Sequence, residues 1–316
     1  MNQLFESTHT SAPVLKWPGR KTKLLKPLKV AIKNIGYQPD LYVEPFFGSG
    51  AVFFMLKNEG LIHKSNINDY LKELEIFYKT LKNKKNLDIF FSKYTKLIRQ
   101  YNSQKSTDDR KEFYNKKRNS YNSLLSSINS LNNEERVNLS SHLFFLNKTG
   151  FNGVYRKNSK GQYNVPHGRR AGSSQKIKFD FKDKENLKNL SNSLKNTKIT
   201  SGDFSRSLFG LTRNDFVFFD PPYVENFVDY SEKGFDSFKS VELSKALKQL
   251  KEKSVNFLMT NSNTEKTKEI FFNKDLFCYE LEVTRTIERR KNNNSGRITE
   301  ILVSSYKIDG LGKSIW

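Results

Sequence analysis

Asp220-Pro221-Pro222-Tyr223 places an acidic acceptor, a rigid backbone carbonyl and an aromatic face within four residues. These groups suit a planar base that carries an exocyclic amine. Asp220 and the Pro221 carbonyl can accept the two N–H groups, Pro222 stiffens the turn, and Tyr223 can stack on the ring. A plain Pro-Pro turn is the simpler alternative, and the rest of the chain decides between them. Glu44-Pro45-Phe46-Phe47-Gly48-Ser49-Gly50 is a second candidate. Its two glycines let backbone come close to a ligand at the start of a helix. It differs from the dinucleotide fingerprint, having one Gly-x-Gly preceded by an acidic-Pro pair, so a nucleoside without phosphates is the better guest.

Three further stretches carry chemistry. Asn68-Asp69 follows the glycine turn by about 20 residues, where a doubly wound fold places the carboxylate for ribose hydroxyls. Lys16-Trp17-Pro18-Gly19-Arg20-Lys21 offers an indole to cover an aromatic ring and cations to meet a carboxylate. Asn147 through Pro166 and on to Arg170 interleaves Gly, Asn, Lys, Arg and aromatics, the residue types that hold phosphates and read base edges. Within it Arg156 is a candidate for a bidentate guanine contact, and a polar hairpin is the bland alternative. Asp203 and Phe204, at another strand edge, could meet an adenine.

The elements that must position these groups are legible from pattern. Phe216-Val217-Phe218-Phe219 reads as a buried parallel strand ending at Asp220. Residues 41–56 read as strand, turn and buried helix, and Ser65 to Asp69 as a short strand ending in an acid. Thr22 to Ile35 and Val241 to Lys253 read as helices, as does Ser262 to Asn273. Asn256 to Asn261, Leu276 to Val283 and Glu300 to Tyr306 read as strands. From Leu71 to Leu146 aromatics recur at helical spacing amid Lys, Asn and Ser, which predicts several helices; the charged run Lys105 to Arg118 suits a solvated face. Residues 1–12 read as a loose arm, Tyr230 to Phe235 as a mobile loop, and Arg285 to Arg297 as a solvated or phosphate-contacting loop.

Composition narrows the class. The 316 residues suffice for one large domain or two medium ones, and the net charge of +22 points to a polyanionic partner. No apolar run approaches the ~20 residues of a membrane span, and Met1 to Pro18 lacks a signal-peptide core. A single cysteine, Cys278, excludes an internal disulfide framework and a Cys-rich zinc site, and its apolar neighbours make it a core residue. The four histidines show no metal-ligand spacing, so no metal is expected. A cytoplasmic nucleic-acid protein is the expectation.

Taken together and in order, these stretches resemble the Dam family of DNA adenine-N6 methyltransferases over almost the whole chain. The resemblance rests on residues 16–21, 44–50, 68–69, 147–166, 220–223 and 297–306. It implies a Rossmann-like methyltransferase sheet formed by residues 1–70 and 175–316, with a mainly helical DNA-recognition domain inserted at 71–174. It also implies S-adenosyl-L-methionine as methyl donor. Trp17, Lys21, Asp69 and Asp220 are its implied contacts, with Gly48 and Gly50 passing beneath the methionine; Glu44, Phe46, Asp203 and Phe204 complete the expected cofactor set. Phe151 falls at the position of an aromatic that enters the duplex, and Arg156 at that of a guanine-reading arginine. Lys148, Asn152, Val154, Lys157 and Arg290 complete the expected DNA-binding set. The chain departs from the family pattern at Pro18, Arg20, Phe151 and Tyr155, which bears on target sequence more than on chemistry.

The expected activity is direct methyl transfer to adenine N6 in a short duplex site, with base flipping and with GATC as the family's commonest target. Family members often belong to restriction-modification systems, so an endonuclease sharing the site is a candidate partner; a monomer in the bacterial cytoplasm or nucleoid is the default. N4-cytosine, RNA or glutamine-amide methylation are the alternatives within enzymes. A DNA-binding regulator without catalysis is the alternative from another class.

Overall fold

In the computed structural model, the structure describes residues 10–19, 21, 24–168, 176–223, 237–283 and 298–316. The elements in chain order are α1 (Leu25–Lys33), β1 (Tyr42–Glu44), α2 (Ala51–Asn58), β2 (Ser65–Asp69), α3 (Lys72–Lys82), α4 (Lys84–Asn102), α5 (Thr107–Ser126) and α6 (Asn133–Thr149). They continue with α7 (Phe181–Ser193), β3 (Thr197–Ser201), β4 (Phe216–Phe219), α8 (Ser237–Glu252), β5 (Asn256–Ser262), α9 (Glu265–Phe271), β6 (Phe277–Val283) and β7 (Ile298–Ser304). The fold is mixed α/β with a seven-stranded sheet. By packing the chain divides into two compact units, one of Met1–Arg20, Gly48–Glu59 and Asp69–Gly202, the other of Lys21–Phe47, Gly60–Asn68 and Asp203–Trp316.

In the unit that contains β4, the strand order is β2-β1-β4-β5-β7-β6. β1 runs parallel to both β2 and β4, and β4 parallel to β5. β7 inserts antiparallel between β5 and β6. β4 is buried along its whole length, which is why it reads as an unbroken apolar run. The chain leaves β1 toward β2 on one side, while β4 lies on the other, so the order reverses at β1/β4. Open α/β sheets bind ligands at the carboxyl ends of strands beside such a reversal. One face of the sheet packs Val217, Phe219, Phe257, Met259, Ile301 and Val303 against Leu243, Leu247 and Leu250 of α8. Cys278 lies in the same core, fully buried.

In the other unit, α3, α4 and α5 pack against α6. Their shared core is aromatic: Phe77, Phe90 and Tyr94 all meet Phe144, Tyr94 at 4.6 Å between ring centroids. Helix starts are set by local polar residues. Ser106 with Asp109 and Asn132 with Glu135 form capping boxes that satisfy the first N–H groups of α5 and α6. The charged first half of α5 is mostly exposed, and the helix is anchored by two buried tyrosines, Tyr114 and Tyr121.

Two local expectations are revised. Of the expected 22–35 helix, α1 covers Leu25–Lys33 and stops short of Ile35, while residues 22 and 23 lie outside the described residues. Residues 10–12 are not a loose arm. The Ser11 N–H donates to Asn58 Oδ1 at 2.9 Å and the Ala12 N–H to Asn186 Oδ1 at 2.8 Å, and Ser11 is buried. Asparagine side chains bind extended backbone in the way another strand would, a pairing with no periodic signature. The loops expected at Tyr230 to Phe235 and Arg285 to Arg297 lie outside the described residues, as do Arg20, Arg169, Arg170 and Arg290.

Candidate active site

Asp220 begins where β4 ends, and the two prolines that follow carry the chain off the sheet. Its carboxylate is held from two sides. Thr260, one position beyond the β4-paired part of β5, donates its hydroxyl to Asp220 Oδ1 at 2.9 Å. The Lys21 ammonium lies 3.0 Å from the same oxygen. Lys21 is buried and reaches two more acceptors, Glu300 Oε2 at 3.0 Å and the Tyr223 hydroxyl. Three protons on the ammonium thus meet three acceptors.

The electrostatics follow from this packing. Burial raises the Asp220 pKa above the ordinary carboxylate value, although Lys21 and Thr260 oppose the shift. Burial by itself would lower Lys21, but the charges of Asp220 and Glu300 outweigh it and raise the pKa. The ammonium is therefore firmly charged, and the Lys21–Asp220–Glu300 cluster with both carboxylates ionised carries net −1.

The remaining groups predicted in this unit make local contacts of their own. Glu44 is buried on β1 and accepts the Tyr42 hydroxyl at 2.7 Å. Phe46 packs 5.4 Å from Phe204, and Phe204 is itself a core residue. Asp203 accepts the Ser205 N–H at 3.0 Å and pairs with Lys239 at 2.7 Å. Burial works against its charge, but the hydrogen bonds from Lys239 and Ser205 hold its pKa below the usual range.

In the other unit the glycine turn is held by Asp69, which accepts the Gly48 N–H at 2.8 Å and the Leu71 N–H at 3.0 Å. Burial pushes the Asp69 carboxyl up to about 6 despite these two donors. Gly48 has φ 50°, and a Cβ there would come within 2.8 Å of the Trp17 indole. Trp17 also stacks on Tyr155, with ring centroids 5.1 Å apart. Gly50 takes φ 70° at the start of α2, where no side chain caps the helix.

The 150–168 loop closes as a hairpin, with antiparallel bridges Gly150↔His167 and Lys157↔Tyr163. Side chains alternate along it. Val154 and Arg156 face out while Tyr155 between them is buried. Phe151 is half exposed and Asn152 exposed, the latter at φ 52°. The Arg156 Nε donates to Asn164 Oδ1 at 3.0 Å, which aims the guanidinium. Lys157 turns instead to buried Glu73, 2.5 Å away, which also accepts the Tyr155 hydroxyl. Lys148 lies over the Phe144 ring.

Thr260 and Glu300 are absent from the sequence-based site. Thr260 stands in no motif and Glu300 falls in the 297–306 stretch without being singled out there; the alternation of β5 and β7 is the signal that could have marked them as facing one side of the sheet. Among the described residues no group of His, Cys, Asp and Glu is placed to hold a metal ion, and no helix is long and apolar enough to cross a membrane.

Comparison with known proteins agrees with this chemistry. The family model of the D12 class N6 adenine-specific DNA methyltransferases matches residues 17–287. The chain is 32% identical over 309 residues to the Type II methyltransferase M.MjaIII of Methanocaldococcus jannaschii, covering 93% of this chain and 99% of that protein. It is 32% identical over 313 residues to the Type II methyltransferase M1.LlaDCHI of Lactococcus lactis, covering 97% and 99%. The DNA adenine methylase of Haemophilus influenzae is 26% identical over 265 residues, 82% of each chain. Family match, full-length relatives and the Asp220–Tyr223 turn at the end of β4 agree: the chain belongs to the D12 class of N6 adenine-specific DNA methyltransferases.

Proposed function

We propose that this protein methylates adenine N6 within a short duplex DNA site, using S-adenosyl-L-methionine and a base flipped out of the helix. The observation that carries the reading is the Asp220 carboxylate, clamped by Lys21 and Thr260 at the carboxyl end of β4 and followed by a Pro-Pro-Tyr turn. A base inside a duplex cannot reach such a recessed edge, so flipping, at a cost of a few kcal/mol, is part of the proposal.

The residues fit the cofactor. Gly48 itself bears no side chain and packs against the Trp17 indole, and Asp69 is fixed in place as an acceptor for hydroxyls. Trp17, Lys21, Glu44, Phe46, Gly48, Gly50, Asp69, Asp203, Phe204 and Asp220 are the proposed cofactor-binding set. When bound, the cofactor supplies an electrophilic methyl on a sulfonium. Asp220 and the Pro221 carbonyl accept the adenine amino protons and turn the nitrogen lone pair outward. Transfer of that methyl to N6 would leave the sulfonium's electron pair on sulfur, and Asp220 would take up the surplus amino proton and release it to solvent. Tyr223 stacks on the flipped ring, and Pro222 holds the turn rigid. No covalent enzyme intermediate is needed, so positioning and electrostatics carry the rate.

We assign DNA recognition chiefly to residues 71–174, with Phe151, Asn152, Val154 and Arg156 outward on the hairpin and Lys148 and Lys157 beside them, and with Arg290 from outside that segment completing the set. The remainder, 1–70 and 175–316, is the Rossmann-like methyltransferase domain in this reading. GATC is the proposed target, the enzyme acts as a monomer in the cytoplasm, and a restriction endonuclease sharing the site is its candidate companion. Two of the relatives are named Type II methyltransferases, which supports that last assignment.

The test is transfer of labelled methyl from S-adenosyl-L-methionine to unmethylated duplexes with and without GATC, followed by nucleoside analysis. Label in N6-methyladenine confined to GATC supports the whole reading. N6-methyladenine elsewhere keeps the chemistry and moves the specificity. Salt-sensitive DNA binding with no label on any nucleoside refutes it in favour of a non-catalytic DNA binder.

A further inference from the structure

Lys21 lies between two carboxylates, and the proposed reaction uses only one of them. Glu300, buried on β7, shares the Lys21 ammonium with Asp220, each oxygen 3.0 Å from the nitrogen. The sheet sets this arrangement up: Glu300 stands opposite Ser262 of β5, two residues along from Thr260, so the two β5 side chains share a face. Thr260 holds Asp220, and Glu300 reaches the same cluster through Lys21.

Charge explains why a second acid is useful there. A methyl arriving from a sulfonium leaves positive charge on the amino nitrogen until its proton is lost. Asp220 alone would favour that charge, but Asp220 with Lys21 is neutral as a pair. Glu300 restores the cluster to net −1 while Lys21 still fixes the Asp220 carboxylate. We propose that Glu300 is a positioning residue for methyl transfer: it orients the Lys21 ammonium and cancels its charge, so that the Asp220 turn presents net negative charge to the reacting amino group. The proposal rests on the function proposed above.

The described groups that face Asp220 are Lys21, Thr260 of β5, Glu300 of β7 and the Tyr42 phenol of β1, which is paired with Glu44; Tyr223 meets the cluster through Lys21. Glu300 acts on Asp220 in the direction that raises its pKa. Removing that charge therefore moves the acid limb of the rate profile to lower pH even as the plateau falls, a combination that a simple packing defect does not produce.

The experiment is single-turnover methylation of a cognate duplex at saturating S-adenosyl-L-methionine across pH, for the wild type, Asp220→Ala, Glu300→Gln and Glu300→Asp. The expected plateau for Glu300→Gln is about tenfold to a hundredfold below wild type, the size of one unbalanced charge close to the reacting atoms. Its acid limb shifts down in pH, while Glu300→Asp, which keeps the charge, stays within about threefold of wild type. A Glu300→Gln plateau within twofold of wild type overturns the proposal. So does a lowered plateau with an unmoved limb, or a Glu300→Asp loss as deep as that of Glu300→Gln. If Glu300→Gln does not fold, Lys21→Met/Glu300→Gln replaces it, since net −1 beside the amino group returns there. That double variant should exceed Asp220→Ala in rate, and parity between them overturns the proposal. If the wild type makes no N6-methyladenine, or Asp220→Ala matches it, the underlying function fails whatever the Glu300 variants do.

Discussion

Lys21→Met removes the one cation that the described residues place in a buried cluster of two acids. Methionine fills much of the same volume, so the loss is electrostatic. Three charge-assisted hydrogen bonds disappear, to Asp220, Glu300 and Tyr223. Two carboxylates then share a buried space with no counter-ion among the described residues. Breaking a buried pair in this way costs about 3–5 kcal/mol, because the stranded charge cannot return to water. Unfolding entropy of about 2.1 cal/mol/K per residue over 316 residues makes each kcal/mol worth about 1.5 °C in Tm. The expected drop at pH 8 is therefore about 5–8 °C. It should shrink on acidification. In the variant, the crowded carboxylates bind a proton more readily in the folded than in the unfolded chain, so stability falls as pH rises above the unfolded carboxylate range. Thermal melts of wild type and variant at pH 5 and pH 8 check both parts. A drop under 2 °C at pH 8, or one equally large at both values, would refute the charge cluster as described.

Three further outcomes test other parts of the site. Asp220→Ala should bind duplex DNA within about twofold of wild type in a gel-shift or anisotropy titration while losing methyl transfer; transfer at the wild-type rate removes Asp220 from the mechanism. Gly48→Ala places a methyl at φ 50° and 2.8 Å from the Trp17 indole, and should weaken S-adenosyl-L-methionine binding by about tenfold in calorimetry; unchanged affinity would mean the turn does not line the cofactor site. Asp69, with its folded pKa raised to about 6 from 3.8, holds its proton longer in the folded chain than in the unfolded one, so it contributes a loss of stability as pH rises across that window. Asp69→Asn should flatten the melting temperature between pH 4 and pH 6, and an unchanged slope there would assign the titration to another group.

The sequence by itself determined the strands and turns whose signal is local. Phe216 to Phe219 is apolar on both faces because a central parallel strand is covered on both, and the two prolines after Asp220 leave the sheet because they cannot join its ladder. The Gly48–Gly50 turn was equally legible, since positive φ and close approach call for residues without a side chain. The order of these motifs along the chain sufficed for the family. The tertiary structure decided which groups answer Asp220. Lys21 and Glu300 are 279 positions apart, and Thr260 is 40 from Asp220. Glu300 looked like a polar residue in a late strand, and its side of the sheet depends on register. A shift of one residue would turn it to the other face, and register is set by long-range pairing of β7 with β5 and β6 rather than by any neighbour in sequence. The same holds for Trp17 and Tyr155. Their types announced aromatic chemistry, but only the fold stacks one on the other above Gly48, because ring contacts at that separation in sequence are made by packing and leave no periodic trace.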